Sequence, residues 1–324
     1  MTFQEIQAHL RTKCLAVIGD FCLDIYWHAD MRKSELSSET PHYPLPIVQE
    51  RMSPGGAGNV VANILALQPA QVKCLGCLGE DWRGREYLAI LQRLGADTTG
   101  LIIDAKRWTD TYIKPLRKGI SDVIYEDPRL DFLNSEPLSA ETEERLLAEL
   151  DALDCDALCV CDQTHFGCIT PAIRTKLGQL GRDGLTVIVD SRYHIAEYRN
   201  VLVKPNELEA SRALGLQEPK NDIAGLRLLA ARLSRRTRRP AIVTAGEQGC
   251  LIADGAETEH IPAVPLTGEI DICGAGDTFL SALACALSVG APLDEAASLA
   301  CRASAIVVKK IRTTGTASWA ELGR

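Results

Sequence analysis

Asp271-Ile272-Cys273-Gly274-Ala275-Gly276-Asp277-Thr278 runs without a break into Phe279-Leu280-Ser281-Ala282-Leu283-Ala284-Cys285-Ala286-Leu287. The second half has the small and apolar composition of a buried helix, ending near Gly290. The first half is a turn of residues with almost no side chain. Gly274, Ala275 and Gly276 let backbone N–H groups come close to a ligand. A helix beginning there adds unpaired N–H donors and the positive end of its dipole. Together they make an anion hole suited to a phosphoryl group, or to negative charge that develops during a reaction. Asp277 stands at its mouth and has two readings. It caps the helix, or it is a general base that takes a proton from an attacking hydroxyl, the part an Asp plays in phosphoryl transfer. Taken alone, so short a glycine-rich turn favours the cap.

A second glycine-rich stretch, Ser53-Pro54-Gly55-Gly56-Ala57-Gly58-Asn59-Val60-Val61-Ala62-Asn63, lies over two hundred residues upstream. It opens a helix running to about Leu67, and Asn59 can both donate and accept hydrogen bonds there. Between and around the two, apolar runs alternate with amphipathic segments. Cys14-Leu15-Ala16-Val17-Ile18, Val72 to Leu78, Ala157 to Cys161, Thr186 to Val189 and Val201 to Val203 read as strands buried on both faces of a parallel sheet. Trp82 to Leu94, Ala140 to Leu153 and Leu293 to about Lys309 read as helices. Two regions break this βα rhythm, residues 25–50 and 109–127, with alternating and proline-containing segments that read as extended chain or edge strands. The expectation is one α/β domain spanning 1–324, a mainly parallel sheet with helices on both faces.

Asp-x-x-Gly-Ala-Gly-Asp-Thr followed by a small-residue helix resembles the C-terminal signature of the PfkB/ribokinase family of sugar kinases, and the stretch 53–63 resembles its N-terminal one. The resemblance extends over essentially the whole chain. It implies a ribokinase-like fold in which the segments 25–50 and 109–127 pair into a small β-sheet lid over the sugar, a surface used for homodimerisation. It implies ATP and Mg²⁺ as cofactors, with Asp277 as base and Gly274, Ala275 and Gly276 stabilising the transferring phosphoryl. On the acceptor side it implies Asp24, Gly55, Gly56 and Asn59. Asp20 and Asp24 both follow the first strand and also read as surface-loop carboxylates; the resemblance singles out Asp24. Val203-Lys204-Pro205-Asn206-Glu207-Leu208-Glu209 carries a capping box from Asn206 to Glu209. It also resembles the family's magnesium and phosphate motif, with Asn206 beside the nucleotide and Glu209 ordering metal-bound water. Asp271 joins Glu209 on the metal side. Thr244-Ala245-Gly246-Glu247-Gln248-Gly249 reads as a hairpin turn and resembles the stretch that lines nucleotide phosphates and ribose, through Thr244, Gly246 and Gly249.

The N-terminal third is closest in pattern to the heptose-phosphate kinase domain of lipopolysaccharide inner-core synthesis. Val17-Ile18-Gly19-Asp20-Phe21-Cys22-Leu23-Asp24, Tyr26-Trp27, Ser38-Glu39-Thr40-Pro41 and Pro44-Leu45-Pro46-Ile47-Val48 carry that likeness. Ile272, Cys273, His165, Phe166 and Arg312 depart from it. These departures bear on the acceptor and on a monovalent cation site, less on the kinase chemistry. No nucleotidyltransferase stretch follows in the sequence, so a single kinase activity is expected. Lys114 and Arg117 suit a phosphate already on the sugar, or are solvated strand-edge cations. Acceptor classes thus run from sugar to sugar phosphate, with a nucleoside or vitamin kinase, or a non-catalytic sugar-binding relative, as alternatives.

Composition narrows the field. The net charge of −8 over 324 residues argues against a nucleic-acid surface. No apolar run is long enough to span a bilayer and residues 1–13 lack signal-peptide features, so a cytoplasmic protein is expected. Twelve cysteines, including Cys74-Leu75-Gly76-Cys77, lie mostly in apolar strand-like runs without zinc spacing, and read as buried free thiols.

Overall fold

A strand without a polar residue must be covered on both faces, and Cys14–Gly19 lies inside a nine-stranded sheet. The computed structural model describes residues 1–121, 123–216, 222–311 and 314–323; Arg312 lies outside them. The helices are α1 (Phe3–Leu10), α2 (Ala57–Ala66), α3 (Trp82–Leu94), α4 (Ala140–Asp151), α5 (Pro171–Arg182), α6 (Glu207–Ala213), α7 (Ile223–Thr237), α8 (Ala275–Ser288), α9 (Leu293–Val307) and α10 (Trp319–Leu322). The strands of the large sheet are β1 (Cys14–Gly19), β4 (Gln71–Gly79), β5 (Asp97–Asp104), β9 (Ala157–Asp162), β10 (Thr186–Ser191), β11 (Leu202–Val203), β12 (Ala241–Thr244), β13 (Cys250–Asp254) and β14 (Glu257–Ile261). The small sheet holds β2 (Phe21–Asp30), β3 (Ile47–Gly56), β6 (Thr111–Lys118), β7 (Ile124–Glu126) and β8 (Leu130–Phe132).

The large sheet runs β14-β13-β12-β11-β10-β9-β1-β4-β5, parallel from β5 to β12, with β13 and β14 antiparallel at one edge. Alternate strand residues feed two apolar layers. Leu15, Val17 and Cys159 meet α1, α2, α3, α8 and α9, while Ala16, Ile18, Leu158 and Val160 meet α4, α5 and α7. That is the two-faced α/β arrangement the apolar runs require. All twelve cysteines are free thiols.

Only Asp20 separates β1 from β2, so the chain passes from the large sheet straight into the small one. The small sheet is therefore wider than the segments 25–50 and 109–127: β2 starts at Phe21 and β3 ends at Gly56, while residues 34–46 carry no strand. In β2, Leu23 and Ile25 turn inward with Ile113 and Met52 onto the core, and Asp24 and Tyr26 turn to the opposite face. Pro115, which cannot donate to a ladder, sits between the stretch of β6 bonded to β8 and the stretch bonded to β7.

Candidate active site

The glycine turn lies at the start of α8. Gly274 is the residue before the helix and adopts φ 80°, a left-handed conformation that glycine takes without strain. The Thr278 N–H donates to Gly274 O at 3.0 Å and the Ala275 N–H to Ile272 O at 3.2 Å. The N–H groups of Gly276 and Asp277 have no carbonyl one turn back within the helix, so they remain donors for an anion.

Helices α2 and α8 are joined by a polar seam. Asn59 Nδ2 donates to Asp277 Oδ2 at 2.6 Å. Asn63 Nδ2 donates to Asn59 O at 2.9 Å and to Asn59 Oδ1 at 3.3 Å, and Asn63 Oδ1 accepts from Thr278 Oγ1 at 2.8 Å. Ser281 Oγ donates to Val60 O at 3.1 Å. Residues four apart on each helix, 59 with 63 and 277 with 281, thus face one another across the seam. It brings the two glycine signatures together. Burial pushes the Asp277 carboxyl up to about 6, against the Asn59 bond that pulls it down.

Asp24 lies buried on the side of the small sheet that faces away from the core, between Ser53 on β3 and Tyr112 on β6. Its Oδ2 is 3.5 Å from Lys114 Nζ, which also donates to the Tyr26 hydroxyl at 3.2 Å. Burial raises the Asp24 carboxyl, and Lys114, then Arg129 and Arg51, oppose it. Arg51 stacks on the Tyr26 ring at 4.1 Å, and Arg129 stacks on Tyr112 at 4.5 Å while paired with Asp131 at 2.6 Å. Burial raises the thiol of Cys273, in the turn before α8, and the charge of Lys114 opposes it. Gly55 and Gly56 end β3 directly before α2, with the Gly55 carbonyl accepting from the Tyr87 hydroxyl at 3.0 Å.

Arg117 is not brought to this group. Strand alternation puts Tyr112 and Lys114 on one face of β6 and Arg117 on the other. There it pairs with Asp127 at 3.1 Å and stacks on Tyr125.

On the other side of α8, Asn206 caps α6 by accepting from the Glu209 N–H at 2.8 Å, and Glu209 Oε2 accepts from the Asn206 N–H at 2.9 Å. Asn206 also bridges to Thr244, at the end of β12. The turn Gly246–Gln248 follows, and Gly249 lies directly before β13. Asn206, Thr244, Gly246 and Gly249, the residues expected beside a nucleotide, thus follow β11, end β12 or lie in the turn from β12 to β13. Among the described residues no three His, Cys, Asp or Glu side chains gather to hold a metal directly. Asp271 is held in the turn before α8, where its Oδ1 accepts from the Cys273 N–H at 3.0 Å.

Reading the sequence passed over one ion pair. Lys204 Nζ lies 3.0 Å from Asp190 Oδ2, and Lys204 is only 3% exposed. A Cβ on Gly276 would stand 3.8 Å from that ammonium, so the pair lies directly under the anion hole. Burial works against the Lys204 charge, but Asp190, then Glu209 and Asp277, raise its pKa overall. Lys204 is adjacent to Pro205-Asn206, and Asp190 ends an apolar strand; those positions were the only signal in the sequence. No helix among the described residues is long and apolar enough to cross a membrane.

The comparisons agree with this geometry. The model of the pfkB family carbohydrate kinases matches residues 15–320. The bifunctional proteins HldE of Wolinella succinogenes and Trichlorobacter lovleyi are each 33% identical, over 304 and 309 residues. The alignments cover 92% and 93% of this chain but 61% and 60% of theirs, so the chain spans about three fifths of those relatives. Phosphofructokinase-2 from Escherichia coli, solved with substrates and products, superposes with a TM-score of 0.75 at 18% identity, covering 96% of this chain and 97% of that one. Arabidopsis thaliana ribokinase, complexed with ribose and ATP, gives 0.69 at 19%, covering 94% and 95%. These structures speak for the fold, and the ribokinase-like architecture is shown by them. With its family match running almost from end to end, the chain belongs to the pfkB family of carbohydrate kinases.

Proposed function

We propose that the chain transfers the γ-phosphoryl group of ATP, with Mg²⁺, to a hydroxyl of a sugar phosphate, and we favour a heptose phosphate. The observation that carries the reading is the 2.6 Å bond from Asn59 to Asp277, which puts an acceptor-side residue and the base at the mouth of one helix N-terminus. Asp277 accepts the proton of the attacking hydroxyl. The N–H groups of Gly276 and Asp277 hold the transferring phosphoryl, with Gly274 and Ala275 shaping the turn. Lys204, buried beneath, adds positive charge where the phosphoryl passes. Asn206, Thr244, Gly246 and Gly249 line the nucleotide. Glu209 keeps one carboxylate oxygen outside its capping bond, and with Asp190 nearby it suits a Mg²⁺ ion that retains its waters. The metal would offset charge on the nucleotide phosphates. Asp271 marks the place we assign to a monovalent cation.

On the acceptor side, Asp24 and Asn59 bind hydroxyls against the Gly55-Gly56 turn. Lys114 and its neighbours Arg51 and Arg129 give that face the positive charge a distal phosphate needs. The heptose preference rests on the resemblance over 17–48. The small sheet acts as a lid that excludes water. Ile47, Val48 and Tyr125, exposed on its strands, with exposed Tyr43, Leu45, Ile120 and Val123 in the loops beside them, form the surface through which we expect two copies to pair. Twelve free thiols suit the reducing cytoplasm.

A coupled ATP-consumption assay over heptose phosphates, other sugar phosphates, free sugars and nucleosides tests the reading. Sugar phosphates are expected to be turned over best, and Lys114→Ala to raise KM for them alone. Equal efficiency with free sugars would remove the distal-phosphate part, and preference for nucleosides would remove the rest. Glu209→Gln separates the two roles of that residue. As a metal-shell residue it raises the magnesium requirement with the fold intact. As a cap alone, its loss costs about 1 kcal/mol of stability and leaves magnesium dependence unchanged.

A further inference from the structure

Asp20 reads from sequence as a surface-loop carboxylate, yet it is only 5% exposed. It is the single residue between the two sheets. Its N–H donates to Cys161 O at the end of β9, and its carbonyl accepts from the Ala57 N–H at the start of α2, both at 3.0 Å. Its carboxylate accepts four more bonds, all from the loop after β9. Oδ2 takes the N–H of Gln163 and of Thr164 at 2.8 Å each and the Thr164 hydroxyl at 3.0 Å; Oδ1 takes the Cys168 N–H at 2.9 Å. Gly167 is pressed so close that a Cβ there would lie 2.1 Å from Asp20 Oδ1.

The loop so held also reaches the strand that carries Asp190. Gln163 Nε2 donates to the backbone of Asp190, the partner of Lys204, at 3.4 Å. His165 stacks on Tyr193 with ring centroids 4.0 Å apart. Arg107 donates to the carbonyl of Phe166 from the far side. Four donors from residues 143 to 148 positions away converge on one carboxylate at the joint from which the small sheet springs.

We propose that Asp20 is a positioning residue for the acceptor: its carboxylate clamps the loop 163–168 to the joint between the sheets, so that loop and lid face keep one spacing around the sugar. Asp20 does not touch the reacting atoms. It acts through the loop. The inference rests on the acceptor site proposed above, since Asp20 leads directly into β2, which carries Asp24, and its carbonyl holds the start of α2, which carries Asn59.

The test uses Asp20→Asn and Thr164→Val in the full chain. Asn keeps the shape but turns an NH₂ toward N–H donors; Val removes one of the four bonds and keeps the fold. KM is measured for ATP and for fructose 6-phosphate, sedoheptulose 7-phosphate and ribose as acceptor probes, with amide hydrogen exchange of Gln163, Thr164 and Cys168. Asp20→Asn is expected to raise the KM of the best-used acceptor about tenfold or more, leave the ATP KM within about twofold, and speed exchange at those amides about tenfold. Thr164→Val should act in the same direction and less. An equal rise in both KM values, no change in either, or unchanged exchange would overturn the proposal; if Asp20→Asn does not fold, Thr164→Val decides. Failure of the wild type on all three probes strikes the sugar-kinase reading alone, and the clamp is then judged on exchange.

Discussion

Asp277→Asn is expected to lower kcat by about two to four orders of magnitude, the usual cost of removing a general base, with little change in ATP affinity. The amide keeps the shape of the carboxylate and can still accept the bond from Asn59, so the α2–α8 seam survives. What it cannot do is take a proton. The pH profile carries the same information. Burial pushes the Asp277 carboxyl up to about 6, so the wild-type rate should fall roughly tenfold per pH unit below that value, where the base is protonated. Stability should move the other way. An acid whose folded pKa lies above its unfolded one, here 3.8, destabilises the fold fully only above the folded value, and the cost disappears below the unfolded one. At pH 7.5 the Asn variant should therefore melt no lower than wild type. Turnover near the wild-type rate, or a collapse in activity matched by a collapse in melting temperature, would remove the base role.

The large sheet was open to a reading of the sequence because its strands are apolar on both faces and its helices carry a single apolar stripe. Trp82–Leu94 starts and ends where its pattern says, with Asp81 capping one end and Gly95 in a left-handed conformation at the other. The small sheet was harder. One face of β2 meets the core and the other carries Asp24 and Tyr26 toward Lys114, so Asp24 makes a strand look like a loop. Asp20 was misjudged for another reason: its partners are backbone N–H groups far away in sequence, and nothing local announces them. Lys204 and Asp190 were missed because their pairing joins side chains at the ends of two different strands. Arg117 is a different kind of error. Lys114 and Arg117 are an odd number of residues apart, so a strand assignment already placed them on opposite faces; the alternation was in the sequence and outweighed the attraction of two nearby cations.

Asp24→Ala should cut kcat/KM by about a hundredfold or more with every acceptor, free or phosphorylated, while the ATP KM stays put. A carboxylate that accepts two sugar hydroxyls makes two charge-assisted bonds, each worth about 1.5–3 kcal/mol, and two such bonds correspond to roughly two to four decades. The variant also leaves Lys114, whose side chain is only 16% exposed, without the carboxylate 3.5 Å away. That adds a cost in the empty site which a phosphorylated acceptor partly relieves. Free sugars should therefore suffer more than sugar phosphates, and the ratio between them reports the distal-phosphate contact without touching Lys114. Arg117→Ala, on the opposite face and held by Asp127, should change neither KM and serves as the internal control. Loss of ATP affinity in Asp24→Ala would show that the small sheet shapes the nucleotide side, and unchanged acceptor kinetics would take Asp24 out of the site.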